Sequence, residues 1–438
     1  MIGKNEGVMD VQAERDRQAI DILKANDRGG FTVPTSKLYP YQWNWDSAFV
    51  ALGFMTFDVE RAWREIEMLF EGQWDDGMVP HILFRRDDPD YFPGPSVWQA
   101  GAAMPSSGHS QPPVAATVVR ELVDRGGEDG ERRGRTLFDK MMAYHRWFHR
   151  ERDPDGIGVI GIVHPWESGR DNSADWEKAL MRVQVAPDLG SYERRDTAHI
   201  DAEERPKQAQ YDRYLTLVKF GREVDWNQEK IARKGQFFIA DPGVHFILMR
   251  ADRDLLAMAE RFGKAAEADE IRAWLALGEA GSDQIWNDEI KAFCARDLRT
   301  GDFSGAITSA SALAFYAGAG SAAQRTAMIE HLNRIMGSVD YALPSLDPNH
   351  VRFEPKRYWL GPIWMVVNYM VARGLAETGH GTLAGRVKAD SRRLIEATGF
   401  YEYFHPLTGE GCGGNDFSWT AAMWLAWAGR DDAGIKAA

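Results

Sequence analysis

Three short stretches combine carboxylates with large aromatic rings. In HPWESGRDNSADWE, residues 164–177, Asp171 follows Gly169 and Arg170 and lies between Trp166 and Trp176. In GFYEYFHPLTGEGCGGNDFSW, residues 399–419, Glu402 is flanked by Tyr401 and Tyr403. In YPYQWNWDSAFVALGF, residues 39–54, Tyr39, Trp43 and Trp45 precede Asp46. A carboxylic acid walled by apolar rings keeps its proton to higher pH, because burial disfavours the charged form. A second carboxylate in a more polar setting stays ionised. One acid to protonate a leaving oxygen and one base to activate water, or to attack, is what glycoside hydrolysis requires. Aromatic faces suit the same chemistry, since they stack on sugar rings while Trp N–H and Tyr O–H reach hydroxyls.

Each stretch also has a plainer reading. Asp171 or Ser173 could cap a helix expected at 175–182, and Asp46 one expected from Ser47. Glu402 could be a loop glutamate held by tyrosine hydroxyls. A fourth stretch, KRYWLGPIW at 356–364, offers Tyr358, Trp359 and Trp364 as a sugar platform or as core, with Pro362 suited to a first helical turn. His81, in GMVPHILF, reads as a satisfied loop histidine.

These stretches need a scaffold. Apolar residues recur at three- and four-residue spacing in roughly a dozen segments, many ending near Gly. Segments such as 131–153 and 381–399 carry charged faces, whereas 359–373 and 417–428 are apolar nearly all round. A helix apolar all round must be buried on every side. Alternating outer and inner helices describe an all-α double ring, an (α/α)6 barrel. No linker divides the chain, so residues 1–438 are expected to form one domain. Strand candidates are short, at GVIGIV and IKAFCARD. The long non-helical stretches, 74–111, 154–174, 183–205, 337–358 and 400–416, are expected at one end of the ring, where loops of this length carry function. Loop 183–205 is charged and poor in large apolar residues, and is expected to act as a lid that orders over substrate.

The 438 residues, 44% of them hydrophobic, suffice for a large core. A formal net charge of -13 argues against a nucleic-acid partner, which needs a basic face. Two distant cysteines, Cys294 and Cys412, give neither a disulfide framework nor a metal spacing. No stretch is long and apolar enough for a signal peptide or a membrane span, so a cytoplasmic location is expected. DNSADWE and DPDGIGVIG lack the calcium-loop pattern, and GEGCGGND lacks the lysine of a phosphate loop. No metal or cofactor is expected; a homo-oligomer is left open.

The motifs YPYQWNWDSAF, SGHSQPPVAA, WESGRDNS, YWLGPIW and YEYFHPLTGEG, in this order from residue 39 to 419, resemble glycoside hydrolase family 63. The single-domain length resembles its bacterial mannosylglycerate and glucosylglycerate hydrolases. The resemblance implies an (α/α)6 barrel and an inverting α-glycosidase, with Asp171 as general acid and Glu402 as general base, roughly 6.5–9.5 Å apart to admit a water. It implies a sugar site at Tyr39, Trp43, Trp45, Asp46, Gln111, Tyr358, Trp359 and Trp364, with Tyr91, His81, Gly169 and Arg170 as further candidates. A glycerate aglycone carries a carboxylate and calls for an arginine. Within AEERPKQAQYDRY, which also holds Arg213 and Tyr214, Arg205 and Tyr211 match the relatives' spacing for that site. The plainer reading pairs Arg205 with Glu203 or Glu204 on the surface. Three further functions stand beside this one. They are an α-glucosidase with a neutral aglycone, a sugar epimerase working through histidines, and a sugar-binding protein without catalysis. Neither glucose nor mannose is favoured.

Overall fold

The computed structural model describes residues 5–431 other than 37, 102, 195 and 197–199. Its helices alternate between two environments, and the sequence pattern explains which goes where. Asn44–Phe54 has every residue buried, as an all-round apolar helix must. Val59–Glu71, which follows it, buries Ala62, Trp63, Glu65, Ile66, Met68, Leu69 and Phe70 on one face and leaves Glu60 and Arg64 outside.

Six inner helices form the ring: Asn44–Phe54, Ala115–Arg125, Pro242–Phe262, Leu313–Ala317, Met365–Glu377 and Ser418–Met423. Each packs against the next, and the last returns to the first. Outer helices Asn5–Asn26, Val59–Glu71, Gly127–Glu151, Ala265–Gly281, Ala322–Gly337 and Gly381–Thr398 alternate with them along the chain. The result is the expected (α/α)6 barrel. Close inner contacts depend on small residues: a methyl group on Gly53 would meet the Ala422 Cα at 2.7 Å.

Local signals fix several helix ends. Pro242 occupies the first turn of its helix, Asp241 accepts from the amides of Gly243 and Val244, and Gly263 ends it at φ 72°. Ser321 and Gln324 make a reciprocal capping box. Other expected ends shift. The helix carrying Asp46 starts at Asn44, so Asp46 sits inside its first turn and caps nothing. The helix after KRYWLGPIW starts at Met365, so Pro362 precedes it. Ser173, and not Asp171, caps the turn Ala174–Trp176 by accepting from the Asp175 amide. The final inner helix becomes a π-helix over Trp424–Ala428.

Strands are short and tie loops together. Gly161–Ile162, Ile239–Ala240 and Arg296–Asp297 make one small antiparallel sheet beside the 164–177 loop. Tyr403–Phe404 pairs with Gly411–Cys412 directly after Glu402. No helix among the described residues is long and apolar enough to cross a membrane.

Candidate active site

One cavity of about 530 Å³ opens at the N-terminal end of the inner ring. The preceding connections and the first turn of the Asn44–Phe54 helix bring Tyr39, Trp43, Trp45, Asp46, Tyr91, Gln111, Gly169, Asp171, Arg205, Tyr211, Tyr358 and Glu402 to its wall. These positions span most of the chain, and the ring is what gathers them.

Asp171 lies in a loop locked from below. Glu167 accepts two 2.8 Å bonds from the Arg152 guanidinium and further bonds from the amides of Ser110 and Val163. A buried ion pair is worthwhile when its remaining hydrogen-bonding capacity is met in this way. The Asp171 carbonyl accepts from the Tyr214 hydroxyl at 2.8 Å and from the Trp176 indole at 3.1 Å. Trp166 lines the cavity, whereas Trp176 serves through this backbone bond. Gly169 is required by space as well as by its φ of 69°, because a Cβ there would sit 2.6 Å from the Trp45 ring. Burial pushes the Asp171 carboxyl up to about 7; Arg205 opposes this shift and the charge of Glu402 adds to it.

Glu402 is held differently. Its Oε1 accepts from the Tyr39 hydroxyl at 3.0 Å, and its Oε2 accepts from Arg205 at 2.8 Å and from the Gly414 amide at 3.2 Å. A tyrosine hydroxyl does hold Glu402, and Tyr39 supplies it. Tyr403 instead donates to the Glu204 carbonyl. Gly413, at φ 70°, brings backbone so near that a Cβ would fall 2.5 Å from Oε2 of Glu402. The two carboxylates therefore occupy opposed environments in one cavity: Asp171 is desolvated, and Glu402 is supplied with donors and a cation. Environments of this kind separate the protonation states of an acid and a base.

Asp46 is a third buried carboxylate on the wall, pushed upward by burial and by the charges of Glu402 and Glu65. Among the described residues no other side chain hydrogen-bonds to its carboxylate. The Gln111 carboxamide oxygen accepts from the Trp45 amide at 3.3 Å, which fixes its orientation at the wall.

Several expectations need correction. Arg170 does not face the cavity. It is buried against Asp175 and Asp241, pairs that its planar fork suits, and it ties the 164–177 loop to the Pro242 helix. Trp359 and Trp364 are not a sugar platform either. They stack on each other at 3.9 Å and back the wall behind Trp45 and Tyr358. Arg205 is fully buried and pairs with Glu402, not with Glu203 or Glu204; Glu204 instead accepts from the Gly413 amide. Arg205→Ala would therefore disturb Glu402 with every substrate, and it cannot by itself separate glycerate from neutral aglycones. Arg213 bonds the carbonyl of Ala209 on its own helix.

The lid segment 183–205 falls partly outside the described residues, at 195 and 197–199. Its described part has aromatic anchorage that its composition understates. Tyr192 stacks on Phe92 and Tyr211, Arg194 lies 4.5 Å over the Tyr211 ring, and Asp196 reaches the cavity wall.

Sequence reasoning passed over Trp419, which lines the cavity and donates its indole N–H to the Glu402 carbonyl at 3.1 Å. It stood at the far end of the quoted Glu402 motif, 17 positions after the carboxylate, where adjacency gives no signal. His81 is both satisfied and on the wall. It contacts Ser107 at 2.9 Å and stacks on His109, which stacks on His164. Burial holds all three imidazoles below their usual range, so the stack is neutral. His81 is the one histidine lining the cavity among the described residues, which leaves a two-histidine epimerase without its second group.

Residues 39–420 match the mannosylglycerate hydrolase MGH1-like glycoside hydrolase domain. The chain belongs to this family. Within it, a mannosylglycerate hydrolase of Thermus thermophilus is 46% identical over 94% of this chain and 99% of its own. The glucosylglycerate hydrolase of Mycolicibacterium hassiacum is 31% identical over 94% of this chain and 97% of its own. The crystal structure of a Thermus thermophilus family 63 mannosylglycerate hydrolase, in complex with Tris and D-glycerate, superposes with a TM-score of 0.90 at 45% identity. The match covers 94% of this chain and 99% of that one. The site described above therefore belongs to an MGH1-like glycoside hydrolase.

Proposed function

We propose that the protein hydrolyses mannosylglycerate, glucosylglycerate or both to hexose and glycerate with inversion at the anomeric carbon. Asp171 gives its proton to the glycosidic oxygen as the bond to the anomeric carbon breaks. Glu402 takes a proton from a water that attacks the opposite face, and the hexose leaves as its β-anomer. The observation that carries this reading is the opposition of environments: a carboxyl held protonated up to about 7 shares the cavity with a carboxylate held by Arg205, Tyr39 and Gly414. Tyr39, Trp43, Trp45, Asp46 and Gln111 would receive the hexose, with Tyr91, Tyr211 and Tyr358 around the aglycone.

A glycerate carboxylate would find one cation on an otherwise acidic wall. Among the described residues lining the cavity are six carboxylates, Asp46, Asp88, Asp90, Asp171, Asp196 and Glu402, and one arginine, Arg205. An aglycone carboxylate has one cation to meet. The names of the Thermus and Mycolicibacterium relatives support the same substrate class. Two unpaired buried cysteines, Cys294 and Cys412, fit a reducing, cytoplasmic setting. The test is incubation of purified protein with mannosylglycerate, glucosylglycerate, kojibiose and nigerose. Release of glycerate from either of the first two is the expected result; cleavage of the neutral disaccharides alone would overturn the glycerate reading.

A further inference from the structure

We infer that Arg205 is a charge-operated switch on the general base: it holds Glu402 until the carboxylate of an anionic aglycone draws it away, freeing Glu402 to accept a proton from water. The inference rests on the function proposed above. Three observations carry it.

First, the working ends of both partners are taken. Nη2 of Arg205 donates to Oε2 of Glu402 at 2.8 Å, while Nη1 donates to the Tyr39 hydroxyl at 2.7 Å and reaches Oε1 of Glu402 at 3.4 Å. With Tyr39 and Gly414 also donating, the acceptor sites of both carboxylate oxygens are occupied, so a water can bond to Glu402 only by replacing a donor. Second, Arg205 is the sole arginine or lysine on the described cavity wall, against six carboxylates. A glycerate carboxylate that pairs with both Nη groups of this guanidinium must displace Glu402 and Tyr39 from them. Third, the guanidinium is held by its end alone. Its Nε is buried without a partner, and its flat body lies 4.9 Å from the Tyr358 ring and 5.9 Å from the Tyr39 ring. Aromatic faces keep a cation attracted as it moves across them. The exchange replaces one carboxylate partner by another, so Arg205 is never left unpaired.

A neutral aglycone offers no replacement. Glu402 then stays paired, and discrimination against such substrates falls on kcat as well as KM. Arg205 is thus a positioning residue whose partner depends on substrate charge.

The test is a double-mutant cycle on D-glycerate affinity, by titration calorimetry with wild type, Glu402→Gln, Arg205→Gln and the double variant. Glu402→Gln should bind D-glycerate roughly tenfold or more tightly, within the range of couplings between contacting charged groups. That gain should vanish in the Arg205→Gln background. A gain that survives without Arg205 would reflect lost repulsion alone and would overturn the switch, as would no gain. Wild type supplies a readout independent of whether Arg205→Gln folds. Free D-glycerate at low concentration should accelerate hydrolysis of α-mannosyl or α-glucosyl fluoride several-fold; inhibition at every concentration would contradict the switch. If the glycerate glycosides themselves are not cleaved, the proposed function fails. If they are cleaved and these tests fail, only the switch does.

Discussion

Asp171→Asn is the substitution from which the proposed chemistry predicts most. Burial holds the Asp171 carboxyl near 7 in place of its ordinary 3.8. At pH 7 about half of the molecules then carry the catalytic proton, whereas at the ordinary value roughly one in a thousand would. The raised value alone is thus worth several-hundredfold in competent enzyme. In wild type, kcat/KM for the glycerate glycoside should fall as pH rises through about 7, as the proton is lost. In Asp171→Asn the rate should drop by about 10²–10⁴, the usual yield of a positioned general acid, and the basic limb should disappear. An α-glycosyl fluoride, whose leaving group needs little protonation, should lose far less. Stability depends on the same proton, over a lower pH window. A raised carboxyl favours the fold while protonated, so its ionisation costs stability as pH climbs from about 4 towards 7. Asp171→Asn should therefore raise the melting temperature at pH 8, with the gain gone at pH 4. Two results would refute the assignment: an unchanged basic limb in Asp171→Asn, or equal losses on fluoride and glycerate glycoside.

Three further expectations follow from the scaffold. Arg170→Met should leave Asp175 and Asp241 buried without their cation and cost about 3–5 kcal/mol in chemical denaturation; a near-neutral result would remove Arg170 from the support of the loop. Gly169→Ala places a methyl 2.6 Å from the Trp45 ring at a φ of 69°, and should lower kcat/KM and destabilise by about 1–3 kcal/mol; wild-type kinetics would deny that this approach shapes the cavity. Burial would raise Asp252, but His149 and His145 outweigh it and hold the carboxyl at about 2. Its contribution is therefore present above about 4 and lost as pH falls towards 2, so the stability difference between wild type and Asp252→Asn should shrink over that window.

Much of this molecule could be read without coordinates, for identifiable reasons. All-round apolarity at 417–428 and one-sided apolarity at 381–399 report burial directly, so the inner and outer rings were legible. Asp171, Glu402, Tyr39 and Trp45 each stood in a local cluster of carboxylates and rings, which marks a wall more than a core. Direction was not legible. Arg170 is adjacent to Asp171, yet its side chain turns inward to Asp241. Trp359 and Trp364 look like a platform in a string of letters but stack behind the wall. Partnership over long separations was hidden too: Arg205 meets a carboxylate 197 positions away, whereas sequence proximity suggested Glu203 or Glu204. Helix starts at Asn44 and Met365 escaped because neither has a side-chain cap to announce it.

The most direct test of the central claim is proton NMR of the first product released from mannosylglycerate or glucosylglycerate, recorded before mutarotation. An initial β-hexose, with glycerate released in step and the signal lost in Asp171→Asn and Glu402→Gln, is the predicted result. An initial α-hexose, or undiminished turnover in either variant, would contradict the assignment of Asp171 as acid and Glu402 as base.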